Sequence, residues 1–230
     1  EEQVTRTNGM TFGTSNRMIE MDEEDRITDE MLTDLKKEFS SDIDAISIEE
    51  SLGSGTVEAG ENSANINLSG ITTGYYDAND VTLLAGRNIS EKDVSGSKSV
   101  IMVSNKVVEY AFDGDNSAAL NSKIHVDIDG VYYSFYIVGI YEYEENSTFS
   151  SSSDEEVTTS AYIPVTTGKD KLHTDAGYEQ FTIVTNAGVT SVTDFATEVK
   201  TYFNNNAYKN NEDYEISTTT MSSMTSSMND

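Results

Sequence analysis

Near each end of the chain, apolar residues switch from period-two spacing to helical spacing and back. This repeated pattern constrains the fold more than any single composition figure. Arg17-Met18-Ile19-Glu20-Met21 alternates as a half-buried strand does, after a stretch that reads as a polar lead-in. Thr28 then offers a hydroxyl as N-cap, with Asp29 and Glu30 in the first turn, where the helix dipole favours acid. Met31, Leu32, Leu35 and Phe39 recur at helical spacing, and Ile43 to Ile48 returns to strand alternation. Gly53 to Gly60 reads as a hairpin tip, followed by alternation over Ala64 to Ile71. Towards the other end, Phe181 to Val184 reads as a strand and Ser191 as an N-cap with Asp194 three residues on. Val192, Phe195, Ala196, Val199 and Phe203 form the apolar face of the next helix, and Tyr214 to Thr218 a closing strand. Two strand-helix-strand units can share one sheet under two helices. The expected fold class is therefore α+β, with residues 1–75 and 175–230 in one subdomain and residues 76–174 inserted.

The middle has a different character. Ser99 to Val103 is a nearly continuous apolar strand, and Ser104 caps a short helix carrying Val107, Val108, Ala111 and Phe112. Lys123 to Ile128 and Val131 to Val138 flank Asp129-Gly130, a strong two-residue hairpin signal. Glu142 to Thr159 is acidic and rich in Ser and Thr, which predicts a solvated run. Ala161 to Val165 resumes strand character, and Pro164, the one proline, limits it to an edge or a strand end.

Charge narrows the partners. The 41 acidic and 14 basic residues give a net charge of -27, which repels phosphate backbones and anionic lipid. Nucleic acid is thereby excluded as a partner, whereas cations such as Ca²⁺ or cationic peptides are attracted. Acidic side chains that merely keep a surface domain soluble give the same balance. With no cysteine there is no disulfide, thiolate metal site or thiol nucleophile. No apolar run of about 20 residues spans a membrane. The abrupt start at Glu1 and the polar Met/Ser end at Met221 to Met228 suit a segment cut from a longer protein.

Catalytic constellations are missing. The two histidines, His125 in a strand pattern and His173 in a polar loop, have no recognisable setting, and no Gly-x-Ser-x-Gly elbow occurs. Gly53-Ser54-Gly55 lacks both the third glycine and the helix of a phosphate loop. Asp113-Gly114-Asp115-Asn116 opens like a Ca²⁺ loop, but the sixth position is not glycine and the twelfth is Ile124. Irregular Ca²⁺ coordination at Asp113 and Asp115, or at Asp22 to Asp25, stays open beside a solvated turn. The 13 tyrosines are either strand formers with one buried face or a contact surface. The expectation is a chain with no catalytic residues, cofactor site or metal site.

Val81-Thr82-Leu83-Leu84-Ala85-Gly86-Arg87-Asn88-Ile89-Ser90-Glu91-Lys92-Asp93 resembles the extracytoplasmic domain of MacB-type and FtsX-like ABC transporter permeases. In that family, leucine, glycine-arginine, a hydrophobic residue, a small residue and aspartate follow in this order. The valine-rich strand, the helix ending in Phe112, the strand pair, Val138-Gly139-Ile140 and Ile163-Pro164 continue the resemblance over about residues 70–167. The signature positions are Leu84, Gly86, Arg87, Asp93, Gly139 and Pro164, with structural roles expected. The acidic run over 142–156 departs from many members.

The resemblance implies a porter-like subdomain made of the two end units, with a β-rich sabre-like subdomain inserted. It also implies a place in the cell membrane, outside the cytoplasm, between two membrane helices of a dimeric permease. The domain would transmit ATP-driven change from a separate ATPase subunit and contact cargo, a membrane-fusion-type adaptor, or both. Cationic peptide is the cargo that the charge suits. A cell-surface adhesin or ligand-binding module is the alternative, and a hydrolase using His125 or His173 a third.

Overall fold

The computed structural model describes residues 9–14, 25–144, 157–211 and 214–220. In chain order the first elements are β1 (Gly9–Thr14), α1 (Asp29–Glu38), β2 (Ile43–Ser47), β3 (Glu49–Ala59), β4 (Asn62–Ile71) and α2 (Tyr75–Ala78). Then come β5 (Leu83–Gly86), α3 (Glu91–Ser95), β6 (Val100–Ser104), α4 (Asn105–Ala111), α5 (Asn116–Ala119), β7 (Lys123–Ile128) and β8 (Val131–Tyr141). β9 (Thr159–Pro164), α6 (Val165–Leu172), β10 (Gln180–Thr185), α7 (Val192–Asn205) and β11 (Ile216–Thr220) complete the chain. The fold is α+β, in two compact units. The first comprises residues 1–48, 74–79 and 175–230, the second residues 49–73 and 80–174.

The first unit is a four-stranded antiparallel sheet in the order β11-β1-β10-β2. Each strand-helix-strand segment is split by a strand of the other, so neither half makes a sheet alone. Thr28 caps α1 by accepting from the Met31 amide, and Ser191 caps α7 by accepting from that of Asp194. α1 buries Leu32 and Leu35, and α7 buries Phe195, Ala196, Val199 and Phe203. Phe181 stacks on Phe12 at 5.1 Å and on Phe203 at 5.4 Å, which ties sheet to helix.

β1 falls in the stretch that reads as a polar lead-in. Its Gly and Thr residues give little local signal, and only Met10 and Phe12, both fully buried, mark the inner face. Pairing with β10 on one side and β11 on the other makes it a strand. The strand expected at residues 17–21, the Met/Ser end at 221–228 and most of the acidic run (145–156) lie outside the described residues.

The second unit closes on itself. β8 pairs with β7 over Val131 to Tyr136 and with β6 over Tyr136 to Tyr141. The ring then runs β8-β6-β9-β4-β3-β7 and back to β8, with β5 added beside the second half of β8. Closure leaves the ring strands without an open margin, β5 alone standing outside it among the described strands of this unit, and encloses one core. Leu52, Val57, Ile66, Leu68, Ile101, Val103, Phe135, Ile137 and Ile163 fill it, joined by Val107, Val108 and Ala111 of α4.

The hairpin β3–β4 therefore belongs to the second unit, although the expected boundary placed it with the chain ends. Its inner residues are barrel core, and β4 pairs in parallel with β9. Conversely residues 76–79, expected inside the insertion, belong with Tyr75 to the first unit, where a Cβ on Gly74 would collide with the Ile46 carbonyl. The glycine-rich stretch is not all tip either. Gly53, at φ +113°, sits at a bulge within β3, Gly55 lies against the Asp127 carbonyl, and only Gly60 is in the turn. Pro164 ends β9 and precedes the first residue of α6, where its missing N–H costs nothing.

The seam between β6 and β9 has a single register pair, Met102 with Tyr162. Side chains reinforce it. Ser104 and Thr159, both buried, share a 2.6 Å hydroxyl hydrogen bond, and the Tyr141 hydroxyl donates to the Ser160 carbonyl at 2.7 Å. Ser104 Oγ also accepts from the Val107 amide as N-cap of α4. Ser104→Ala removes that cap and the buried hydrogen bond to Thr159. Urea denaturation is expected to show a loss of about 2–4 kcal/mol. The Ser104→Ala/Thr159→Val double variant is expected to lose less than the sum of the single losses.

Candidate functional site

The signature segment folds into a closed local unit built on two facing glycines. Gly86, at φ +77°, and Gly139 are register partners across β5 and β8. A Cβ on Gly86 would strike the Val138 carbonyl, and one on Gly139 the Arg87 carbonyl. With neither present, the Arg87 amide donates to the Val138 carbonyl at 2.9 Å, and the chain turns into α3.

Arg87 then grips Asp93. Nη1 donates to Oδ2 at 2.6 Å and Nη2 to Oδ1 at 3.2 Å, a two-point fork on one carboxylate. Asp93 Oδ2 also accepts from the Ser90 amide at 2.8 Å and from the Ser90 hydroxyl at 2.6 Å. Ser90 accepts in turn from the Asp93 amide, which completes a capping box on α3. Burial disfavours the charged Asp93 carboxyl, but the hydrogen bonds from Arg87 and Ser90 outweigh it and hold its pKa down at about 2. Ile89 is buried as the apolar anchor. Leu84 is exposed on β5. Apart from Leu84, the spacing from Gly86 to Asp93 is that of a turn, a fork, an anchor and a cap.

The other candidates are dispersed. Strand register lines up Glu58, His125 and Ser134 across β3, β7 and β8, with Ser134 Oγ 3.1 Å from His125 Nδ1. That row stands on an exposed sheet face. His173 ends α6 in a left-handed conformation at φ +55°. Asp115 accepts from the Ser117 and Ala118 amides as N-cap of α5, so its carboxylate serves the helix. Asp113 occupies the preceding turn at φ +52°. Asp25 accepts from Asn211, and residues 22–24 lie outside the described residues. Among the described residues no group of three or more His, Cys, Asp or Glu could hold a metal ion. Tyr75, Tyr141, Tyr162, Tyr178, Tyr208 and Tyr214 are buried, while Tyr132 and Tyr136 face solvent from β8.

One feature of the first unit escapes the sequence reading. A cleft of about 430 Å³ opens between α1 and α7, lined among others by Glu30, Met31, Asp34, Tyr202, Phe203 and Asn206. Phe39 packs edge-on against Tyr202 at 5.6 Å and against Phe195 at 5.4 Å, fixing the aromatic wall. Partial burial, then the charges of Glu38 and Asp34, push the Tyr202 hydroxyl pKa up. Glu30, Asp34 and Glu38 recur at i, i+4 spacing, which was the available signal.

The family described as the MacB-like periplasmic core domain matches residues 1–202. Among solved structures, the periplasmic region of MacB from Actinobacillus actinomycetemcomitans superposes with a TM-score of 0.70 at 20% identity. That match covers 98% of this chain and 94% of that one. The extracellular domain of the noncanonic ABC-type transporter YknZ from Gram-positive bacteria gives 0.65 at 19% identity, covering 91% and 99%. A domain of a candidate permease from Porphyromonas gingivalis gives 0.60 at 11% identity, covering 93% and 90%. No curated protein sequence matches the chain.

Because Asp93 titrates below its ordinary value of 3.8 in the folded state, its contribution is complete above about pH 4 and lost as pH falls towards 2. Asp93→Asn is expected to remove that acid slope and to lower stability at neutral pH by about 2 kcal/mol. Urea midpoints measured across this pH range check both. Arg87→Lys, which keeps the charge but loses the fork, is expected to lower stability by less than Asp93→Asn does.

Proposed function

The chain belongs to the family of MacB-like periplasmic core domains, and we propose that it works as the outward-facing part of an ABC transporter permease. In this reading it carries a conformational change driven by ATP hydrolysis in a separate subunit to a cargo or an adaptor protein outside the membrane. The observation that carries the reading is the extent of the family match, residues 1–202, which reaches into both units. Two physical features support a mechanical role. The second unit is a closed ring with one continuous core, suited to moving as a body. The chain also passes between the units four times, at 48/49, 73/74, 79/80 and 174/175, so displacement of one is covalently felt by the other.

The absence of cysteine makes a direct test clean. Glu61 is exposed in the turn between β3 and β4, so Glu61→Cys in the full permease gives a single reactive thiol in this domain. A membrane-impermeant maleimide is expected to label it in intact cells. In the reconstituted transporter, trapping the ATPase with vanadate is expected to change the mobility of a nitroxide at that site. Absence of labelling in intact cells counts against the outward placement. A spectrum indifferent to nucleotide state counts against transmission and leaves the placement standing.

A further inference from the structure

We infer that the cleft between α1 and α7 is a receptor site for the arginine side chains of a cationic peptide. Its chemistry is that of a planar cation. Tyr202 supplies a ring face held by its edge contact with Phe39, and a guanidinium laid against such a ring gains both stacking and cation–π attraction. Glu30 and Asp34 line the same cleft, within reach of the fork of donors that a stacked guanidinium directs outwards. Asn206 donates its side-chain amide to the Tyr202 carbonyl at 2.7 Å, which leaves its oxygen to accept a further N–H.

The charge distribution points to the same occupant. Glu30, Asp34 and Glu38 form a like-charged stripe along one side of α1, an arrangement that costs an isolated helix stability. Among the described residues no basic side chain is ion-paired with any of the three. Lys36 and Lys37 stand in the last turn of α1, where they answer the helix dipole. No ion pair among the described residues answers the stripe beside the aromatic wall, and a cation placed there relieves its repulsion. The volume, about 430 Å³, falls within the roughly 300–1,000 Å³ of ligand clefts.

The inference rests on the outward-facing reading above, but its test does not use nucleotide or membrane, so either can fail alone. The 230-residue chain, labelled with ¹⁵N, is titrated with a blocked arginine-rich peptide and with its isosteric, uncharged citrulline counterpart. Saturable amide shifts concentrated on α1 and α7 are expected with the arginine peptide only. Glu30→Gln/Asp34→Asn is expected to weaken binding about tenfold, and Tyr202→Leu about fivefold. Glu61→Gln/Asp80→Asn removes the same charge from exposed positions of the second unit and is expected to change affinity by less than about twofold. Equal losses in the two double variants would mean a diffuse field and overturn the site. So would shifts centred elsewhere, equal binding of the citrulline peptide, or no saturable binding.

Discussion

The double use of β8 is the constraint on which the second unit depends. A strand of 11 residues presents two edges, and here one edge is divided between β7 and β5 while the other pairs with β6. Without that sharing, β7 and β6 would be the margins of an open sheet and α4 would cover only part of an exposed apolar surface. With it, inward residues from six strands meet around Phe135 and Ile137, and the core has no free side. The weakest seam, β6 to β9, then becomes a question of side-chain chemistry. Ser104, Thr159 and Tyr141 supply bonds that the sparse backbone ladder does not.

The family signature is a consequence of the same strand. β5 can join β8 only where both backbones come unusually close, which is why Gly86 and Gly139 face each other. The chain leaving that contact is then turned by the Arg87–Asp93 fork, and the same carboxylate caps α3. One buried aspartate thus closes a turn, starts a helix and neutralises an arginine. A segment that carries so many structural duties has little freedom left for ligand chemistry, which agrees with its short, mutually satisfied hydrogen bonds.

Much of this was legible in the sequence, for reasons that can be named. α1 and α7 announce themselves through the caps Thr28 and Ser191 and through apolar residues at 3.6 spacing. Asp129-Gly130 marks the β7–β8 hairpin, with both residues at positive φ. Their signals are local. β1 was not legible, because two glycines and two threonines around Met10 and Phe12 become a strand only between β10 and β11. The β3–β4 hairpin was assigned to the wrong unit because alternation reveals a buried face without saying which core receives it. The parallel pairing of β4 with β9, about 95 residues later in the chain, is topology that no window contains. The acidic stripe of α1 was visible, but its aromatic opposite wall comes from a helix more than 150 residues away.

That last separation decides how a net charge of -27 should be read. A diffuse negative field raises the local concentration of any cation and speeds encounters, and it falls away with salt over about a Debye length. It cannot distinguish one cationic side chain from another. Discrimination needs a place where charge, a ring face and restricted volume coincide, so that dissociation rather than encounter is slowed. Some carboxylates on the described surface are already engaged, as Asp115 is by the backbone amides it caps. Glu30 and Asp34 stand instead beside Tyr202 in an open cleft. If acidity served solubility alone, nothing would require its unpaired part to lie against a half-buried aromatic wall. The coincidence of the two is what separates a surface that attracts cations from one that can hold them.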